Sequence, residues 1–269
     1  LLGDKMDEVP KEVQEKLEAI KKTVEAFSDK ATKKNEKIMG IAILPPKEDQ
    51  PNQIQTLVLL DDRDLKFQEK LKFRDQTLRE LIEISKKVDE NIFIELLLLE
   101  ELWQSCYDGK NEVLQIIAQS APVFDKGMLA ALRISQIHKT MVTKKFEKYV
   151  VSYVLAGSLV QGRATPESDI DVFVVVDDTD VKKMTRYELR EKLRAIILGM
   201  GQEAGMITGV KNKINIQVYI LTDFWDGIKE ANPVYFTFLR DGVPLYDRGV
   251  FMPWKLLLKM GRIKPSPES

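Results

Sequence analysis

The chain repeats itself, and a repeat constrains a fold more than any single motif, because two similar stretches of one chain fold into similar units. Thr32-Lys-Lys-Asn-Glu-Lys37, followed by the apolar Ile38 to Leu44, reads like Thr143-Lys-Lys-Phe-Glu-Lys148, followed by Tyr149 to Leu155. Gln53-Ile-Gln-Thr-Leu-Val-Leu-Leu-Asp-Asp-Arg-Asp64 lies against Asp169-Ile-Asp-Val-Phe-Val-Val-Val-Asp-Asp-Thr-Asp180 without a gap at an offset of 116. Ile94 to Trp103 matches Ile216 to Trp225 at an offset of 122, with the two tryptophans coinciding. At the same offset Pro122-Val-Phe-Asp-Lys-Gly127 pairs with Pro244-Leu-Tyr-Asp-Arg-Gly249. Four matches in one order, with offsets running from 111 to 122, imply a tandem duplication of one α/β unit, over about 30–135 and about 142–259.

Each copy reads as a strand, a loop, a second strand, a helix (Leu65 to Val88; Thr185 to Ala204), a third strand and a terminal helical segment. Ahead of them Val13, Leu17, Ile20, Val24 and Phe27 recur at helical spacing, with Pro10 suited to a helix start. That stripe is expected to pack on its own domain. The expected fold class is α/β (α+β): two tandem domains, each a small mixed sheet flanked by helices, after an N-terminal amphipathic helix. The expected division is 1–30, 31–135 and 136–269.

The second copy carries the chemistry. From Ala156 to Val176 it reads strand, glycine loop, acidic strand: Gly157-Ser158, then Gly162 and Pro166, then Ser168-Asp169-Ile170-Asp171 entering a β-branched run. Residues two apart on a strand share a face, so Asp169 and Asp171 present both carboxylates on one side. Two hard oxygen ligands so placed suit Mg²⁺, which completes its shell with water and substrate phosphate. A glycine-serine turn supplies N–H groups and a hydroxyl that approach a phosphate closely.

Gly157-Ser158, Gly162 and Ser168-Asp169-Ile170-Asp171 resemble the signature of the polymerase-beta-type nucleotidyltransferase superfamily, in its minimal form. The resemblance implies binding of an NTP such as ATP with Mg²⁺ (or Mn²⁺), and transfer of the nucleotidyl group to an acceptor hydroxyl. It implies that Gly157 and Ser158 hold the phosphates, with Gly162, Arg163 and Ser168 adding nucleotide contacts, and that Asp169 and Asp171 ligate the metal. The family's third carboxylate sits on the next strand. There, in Ile214-Asn-Ile-Gln-Val-Tyr-Ile-Leu221, Gln217 takes the expected position, with Asn215 as its same-face neighbour. A neutral amide cannot accept the hydroxyl proton, so a second reading stands beside the enzyme: a catalytically impaired nucleotide-binding protein or interaction scaffold.

The first copy has Pro46-Lys47 in place of Gly157-Ser158, a loop five residues shorter, and Gln53 and Gln55 in place of the aspartates. It is expected to be catalytically silent, pairing with the second copy about a pseudo-twofold axis. Glu95 stands where the second copy has Gln217. Asp177, Asp223 and Glu95 are the other candidate proton acceptors.

With 41 basic and 42 acidic residues the net charge is −1, which gives no global attraction to nucleic acid or anionic membrane. Acidic residues interrupt the greasiest stretch, Ile92 to Trp103, so no run approaches the roughly 18 residues of a membrane span. Cys106 is the single cysteine and reads as a buried small hydrophobe, consistent with a cytoplasmic protein. His138, the single histidine, reads as part of a solvated helix face, and no zinc cluster is available to it. Trp103 and Trp225 read as core residues, as do Tyr235, Phe236, Phe238 and Tyr246, which have a nucleobase pocket as their alternative. The expected partners are an NTP, an acceptor of unknown kind, and a protein partner or a second copy of the chain; no membrane contact is expected.

Overall fold

The structure, a computed structural model, describes residues 11–179 and 183–264. Pro10 and the first residues of the amphipathic stretch, Asp180 at the end of the offset-116 match, and the final Pro-Ser-Pro-Glu-Ser lie outside the described residues. The first unit runs α1 (Lys11–Lys34), β1 (Ile38–Ile43), β2 (Ile54–Leu60), α2 (Phe67–Lys86), β3 (Ile92–Leu98), α3 (Leu99–Tyr107), α4 (Glu112–Gln119) and β4 (Ala121–Asp125). Then come α5 (Met128–Lys145), β5 (Val150–Ala156), α6 (Gly157–Val160), β6 (Ile170–Val176), α7 (Arg186–Thr208) and β7 (Ile214–Ile220). α8 (Leu221–Lys229), α9 (Pro233–Asp241), β8 (Val243–Asp247) and α10 (Phe251–Lys259) complete the chain.

The duplication is visible in the sheets. Four strands in the order β3-β2-β1-β4 are matched by four in the order β7-β6-β5-β8. In both, the parallel pair joins the second and third strands, and the other two pairings are antiparallel. The register irregularities recur at equivalent places, Ile38/Gly40 with Val150/Ser152 and Ile41/Ala42 with Tyr153/Val154. β2 and β6 keep the offset of 116 read from the sequence, and β3 with β7 and β4 with β8 keep 122.

One register is corrected. Ile38 opposite Leu60 corresponds to Val150 opposite Val176, which sets β1 against β5 at an offset of 112 rather than 111. A one-residue slip would turn every β1 side chain to the other face; Ile38 and Ile41 lie on the side of their leading helix, as Val150 and Tyr153 lie on the side of theirs, which only the offset of 112 reproduces. Pro45 and Pro46, not Pro46 and Lys47, therefore stand in the places of Gly157 and Ser158, and the first loop is four residues shorter.

The central strands are apolar runs because both of their faces are covered. On β2, Val58 and Leu60 join Val24 and Phe27 of α1 and Leu81 of α2, while Leu57 and Leu59 face α3, α4 and α5. On β6, Val172 and Val174 face α5 and α7, while Val175 faces α8, α9 and α10. Only the later part of α1 is covered; Val24, Phe27 and Ala31 are buried, whereas Val13 and Leu17 are exposed.

α5 lies where the units meet. It packs on β1 and β4 as their last helix and on β5, β8 and α7 as their first, a place α1 takes in the first unit. Its start is fixed by Asp125, which accepts from the N–H groups of Gly127, Leu129 and Ala130. Asp247 does the same for α10 through Val250, Phe251 and Met252. Residues 135 and 136 both fall inside α5.

Sharing one helix forces the units to meet through unlike faces, the α3–α5 side of one against the α5/α7 side of the other. The arrangement is thus head-to-tail, which corrects the pseudo-twofold pairing expected from the sequence. It also corrects His138, which sits in α5 with no exposed surface rather than on a solvated face, because both units cover this helix. The tryptophans divide for the same reason: Trp103 on α3 is buried at the junction, while Trp225 on α8 is 46% exposed and packs on Trp254 with ring centroids 5.1 Å apart. Cys106 is buried and free, as read, and burial pushes its thiol up to about 12. Phe236 and Phe238 are core residues. No helix among the described residues is long and apolar enough to cross a membrane.

Candidate active site

The acidic pair stands where β6 begins. β6 alternates, and since Ile170 and Val172 point into the central core, Asp171 points to the opposite face, at the uncovered end of the sheet. Asp169 is exposed and Asp171 half-buried. Gly157 closes the space beside Asp171. Its φ is +70°, and a β carbon there would overlap Asp171 Oδ2, so the glycine is required both by backbone conformation and by the approach of the carboxylate. Ser158 follows on the single helical turn α6, half-buried beside it.

Across the parallel register Asp171 faces Asn215, and Gln217 stands opposite Phe173, one pair further along. Asn215 Nδ2 donates to Asp171 Oδ1 at 2.9 Å. The amide beside the aspartates is thus Asn215, while Gln217 lines a cavity of about 240 Å³ with Arg190, Arg194, Asp223 and Tyr235. Asp223 there is held by Arg186 at 3.3 Å, Asp177 accepts from Thr179 N–H, and Glu95 is paired with Lys47 at 2.7 Å.

The remaining motif residues shape the loop. Gly162 has a φ of +65° and is buried, and a β carbon there would meet Leu99 and Arg63 of the first unit at 2.6 and 2.8 Å. Arg63 donates to the carbonyl of Gln161, and its guanidinium is held by Asp61 through Nε at 2.8 Å and Nη2 at 2.6 Å. On the loop's other side Gly127 is so close to Thr165 and Pro166 that no β carbon fits. Ser168 Oγ accepts from Thr165 N–H at 2.9 Å, and Asn212 Nδ2 donates to Ser168 O at 2.8 Å. Arg163 is exposed, its guanidinium bonded to the Gln161 side chain.

Arg63 and Asn212 were not singled out in the sequence, and neither carries a motif. Asp178 had a signal, since Asp62 and Asp178 coincide in the offset-116 match. Asp62 accepts from Lys70 at 2.9 Å and from Glu100 N–H at 3.1 Å. Asp178 accepts from Thr222 Oγ1 at 3.0 Å, with Arg186 Nε 3.5 Å away. Lys70 and Arg186 are again 116 apart, so a cation clamps the end of the second strand to the next helix in both units.

No cluster of three or more His, Cys, Asp or Glu side chains able to hold a metal occurs among the described residues. The site offers two carboxylates, with Asp171 Oδ1 taken by Asn215; that set suits a hard cation sharing its shell with phosphate and water.

Part of the chain matches a known protein family. Residues 135–224 match the model of a family described as "Nucleotidyltransferase domain". A solved structure titled "Crystal structure of the toxin-antitoxin with AMP-PNP" is 17% identical, over 46% of this chain and 86% of that one, with a TM-score of 0.26. No curated protein matches the chain. The segment carrying Gly157, Ser158, Asp169 and Asp171 is thus similar to a nucleotidyltransferase domain.

Proposed function

We propose that the second unit transfers an NMP group from an NTP, ATP being the first to test, to an acceptor hydroxyl, with Mg²⁺ or Mn²⁺ held by Asp169 and Asp171. The observation that carries this reading is the packing of Asp171 against Gly157, which sets a carboxylate at the mouth of the glycine loop. When bound, the cation supplies the positive charge that lets a triphosphate approach two aspartates. Gly157 and Ser158 hold the phosphates by backbone N–H and hydroxyl groups, and Arg163, exposed on the loop, adds charge. Gly162 and Ser168 keep the loop in shape rather than touch the nucleotide. The proposed division is a leading segment at 1–30, a silent unit at 31–135 and the transferase unit at 136–269, joined through α5.

The test is calorimetric titration of ATP with Mg²⁺ and with chelator. Binding is expected only with the cation, and Asp169→Asn with Asp171→Asn is expected to abolish it while the circular dichroism spectrum stays unchanged. Equal affinity in chelator, or an unaltered double variant, refutes the metal reading.

A second reading, a nucleotide binder that does not turn over, is favoured by Asn215. An amide beside Asp171 supplies neither a third negative charge nor a proton acceptor. Nucleotide bound without any AMP-labelled product, across protein, small-molecule and nucleic-acid acceptors, would select it.

A further inference from the structure

The first unit holds a cavity of about 630 Å³ at the end of its sheet where Gln53 and Gln55 stand, the place the aspartates take in the second unit. Its volume is within the about 300–1,000 Å³ usual for small-molecule sites. Leu17 and Ile20 of α1 wall one side, and Ile43, Leu44 and Ile54 another. Its charged lining residues are Lys21 and Arg133, both basic, with no carboxylate among the described ones. The charge of the second unit's site is inverted here.

Two buried polar atoms on this wall lack a hydrogen-bond partner. Gln55 is 1% exposed; its Nε2 donates to Gln53 Oε1 at 3.1 Å, and its own Oε1 has nothing to accept from. Arg133 Nε is buried without an acceptor, and its guanidinium forms no ion pair among the described residues. Lys21 is exposed and only 3.9 Å from Glu25, a pair that holds it weakly. A buried acceptor and a buried cationic donor left unmatched each cost stability unless a ligand or a water supplies the partner.

The ligand's chemistry follows from what the wall offers and lacks. Without carboxylates it attracts no Mg²⁺, and Pro45 and Pro46 remove the N–H groups that a phosphate chain would need. The Arg133 fork suits a planar carboxylate, Gln55 Oε1 asks for an N–H or O–H, and the α1 side offers apolar contact. We propose that the first unit is a metal-independent binding site for a small organic carboxylate that carries a hydrogen-bond donor on an apolar body. The duplicated unit would thus have exchanged a phosphate-and-metal site for a carboxylate site.

The test uses the whole chain in chelator and indole-2-carboxylate as the probe, which has one carboxylate, one N–H and an apolar ring system. Calorimetry is expected to show saturable one-to-one binding. Gln55→Leu and Arg133→Met should each weaken it by about tenfold or more, and the neutral indole-2-carboxamide should bind as weakly as the probe does to those variants. Arg133→Lys, which keeps the charge without the fork, should lie between, and Lys21→Gln, at an exposed position that leaves the core untouched, should weaken binding less. The Asp169→Asn, Asp171→Asn double variant should bind the probe like the wild type, which separates this site from the transferase reading. Absence of saturable binding overturns the proposal. So does binding that Gln55→Leu and Lys21→Gln leave intact, or binding lost with the two aspartates.

Discussion

The Asp171 carboxylate occupies the space that a β carbon on Gly157 would need. The glycine loop and the acidic strand are therefore one packed unit, and neither can change without the other. Gly157→Ala adds a left-handed strain of about 1–2 kcal/mol and pushes Asp171 aside. ATP titration in Mg²⁺ should show affinity reduced by about tenfold or more, while Gly249→Ala, also at positive φ but with open space around it, should lose only stability.

Asn215 is the position at which a third acid would meet Asp171. Asn215→Asp should tighten Mn²⁺ binding by about tenfold and lower the thermal midpoint in chelator, because three carboxylates repel one another when no cation is bound. Gln217→Glu, one register pair away, should change Mn²⁺ affinity less. If its role is that of the missing proton acceptor, it should instead raise turnover by about 10²-fold or more. Metal titration and single-turnover transfer assays separate the two positions.

Arg63 reaches from the first unit to the Gln161 carbonyl and lies against Gly162. Arg63→Ala should cost about 1 kcal/mol, the size of one partly exposed hydrogen bond. It should also speed hydrogen exchange at the Gly162 and Arg163 amides, whose N–H groups close the α6 turn onto Leu159 and Ser158 carbonyls. Unchanged exchange there would mean that the loop holds its shape alone.

His138 is satisfied as a neutral ring. Nε2–H donates to Ile197 O at 3.0 Å, so Nδ1 accepts from the Tyr153 hydroxyl at 2.8 Å. Burial lowers its pKa below the ordinary 6.5, despite the Ile197 carbonyl, which pulls the other way. The unfolded chain takes up a proton near pH 6.5 that the folded chain refuses. Its contribution to stability is therefore complete above that pH and falls as the pH drops below it. Thermal midpoints measured from pH 7.5 to 5 should decline, and His138→Gln should flatten the decline while costing about 1–2 kcal/mol at pH 7.5.

The strands were legible in the sequence because their patterns are strong. The run after Gln53 aligned without a gap to the run after Asp169, and both became buried second strands in equivalent sheets. The register of the first strands was not legible. The Thr-Lys-Lys similarity that anchored the alignment lies in the approach to the strand, where length is free to drift by one residue, and only side-chain facing fixes it. α5 escaped notice as a continuous helix since it is covered all round. Met128, Leu132, Ser135, His138 and Lys139 are all buried, so no one-sided stripe marks it. Among the site residues, the outward face of Asp171 follows from alternation alone, since Ile170 and Val172 point into the core. Which amide faces Asp171 depends on the stagger between β6 and β7, and the sequence carries no signal for that.

Because α5 closes one core and opens the next, the molecule resists division into halves. A fragment ending before Met128 would uncover the α5 side of β1 and β4, and a fragment starting after Lys145 would expose β5 and the inner side of α7. Two polypeptides, 11–145 and 128–264, would each carry the helix, and each should then fold alone.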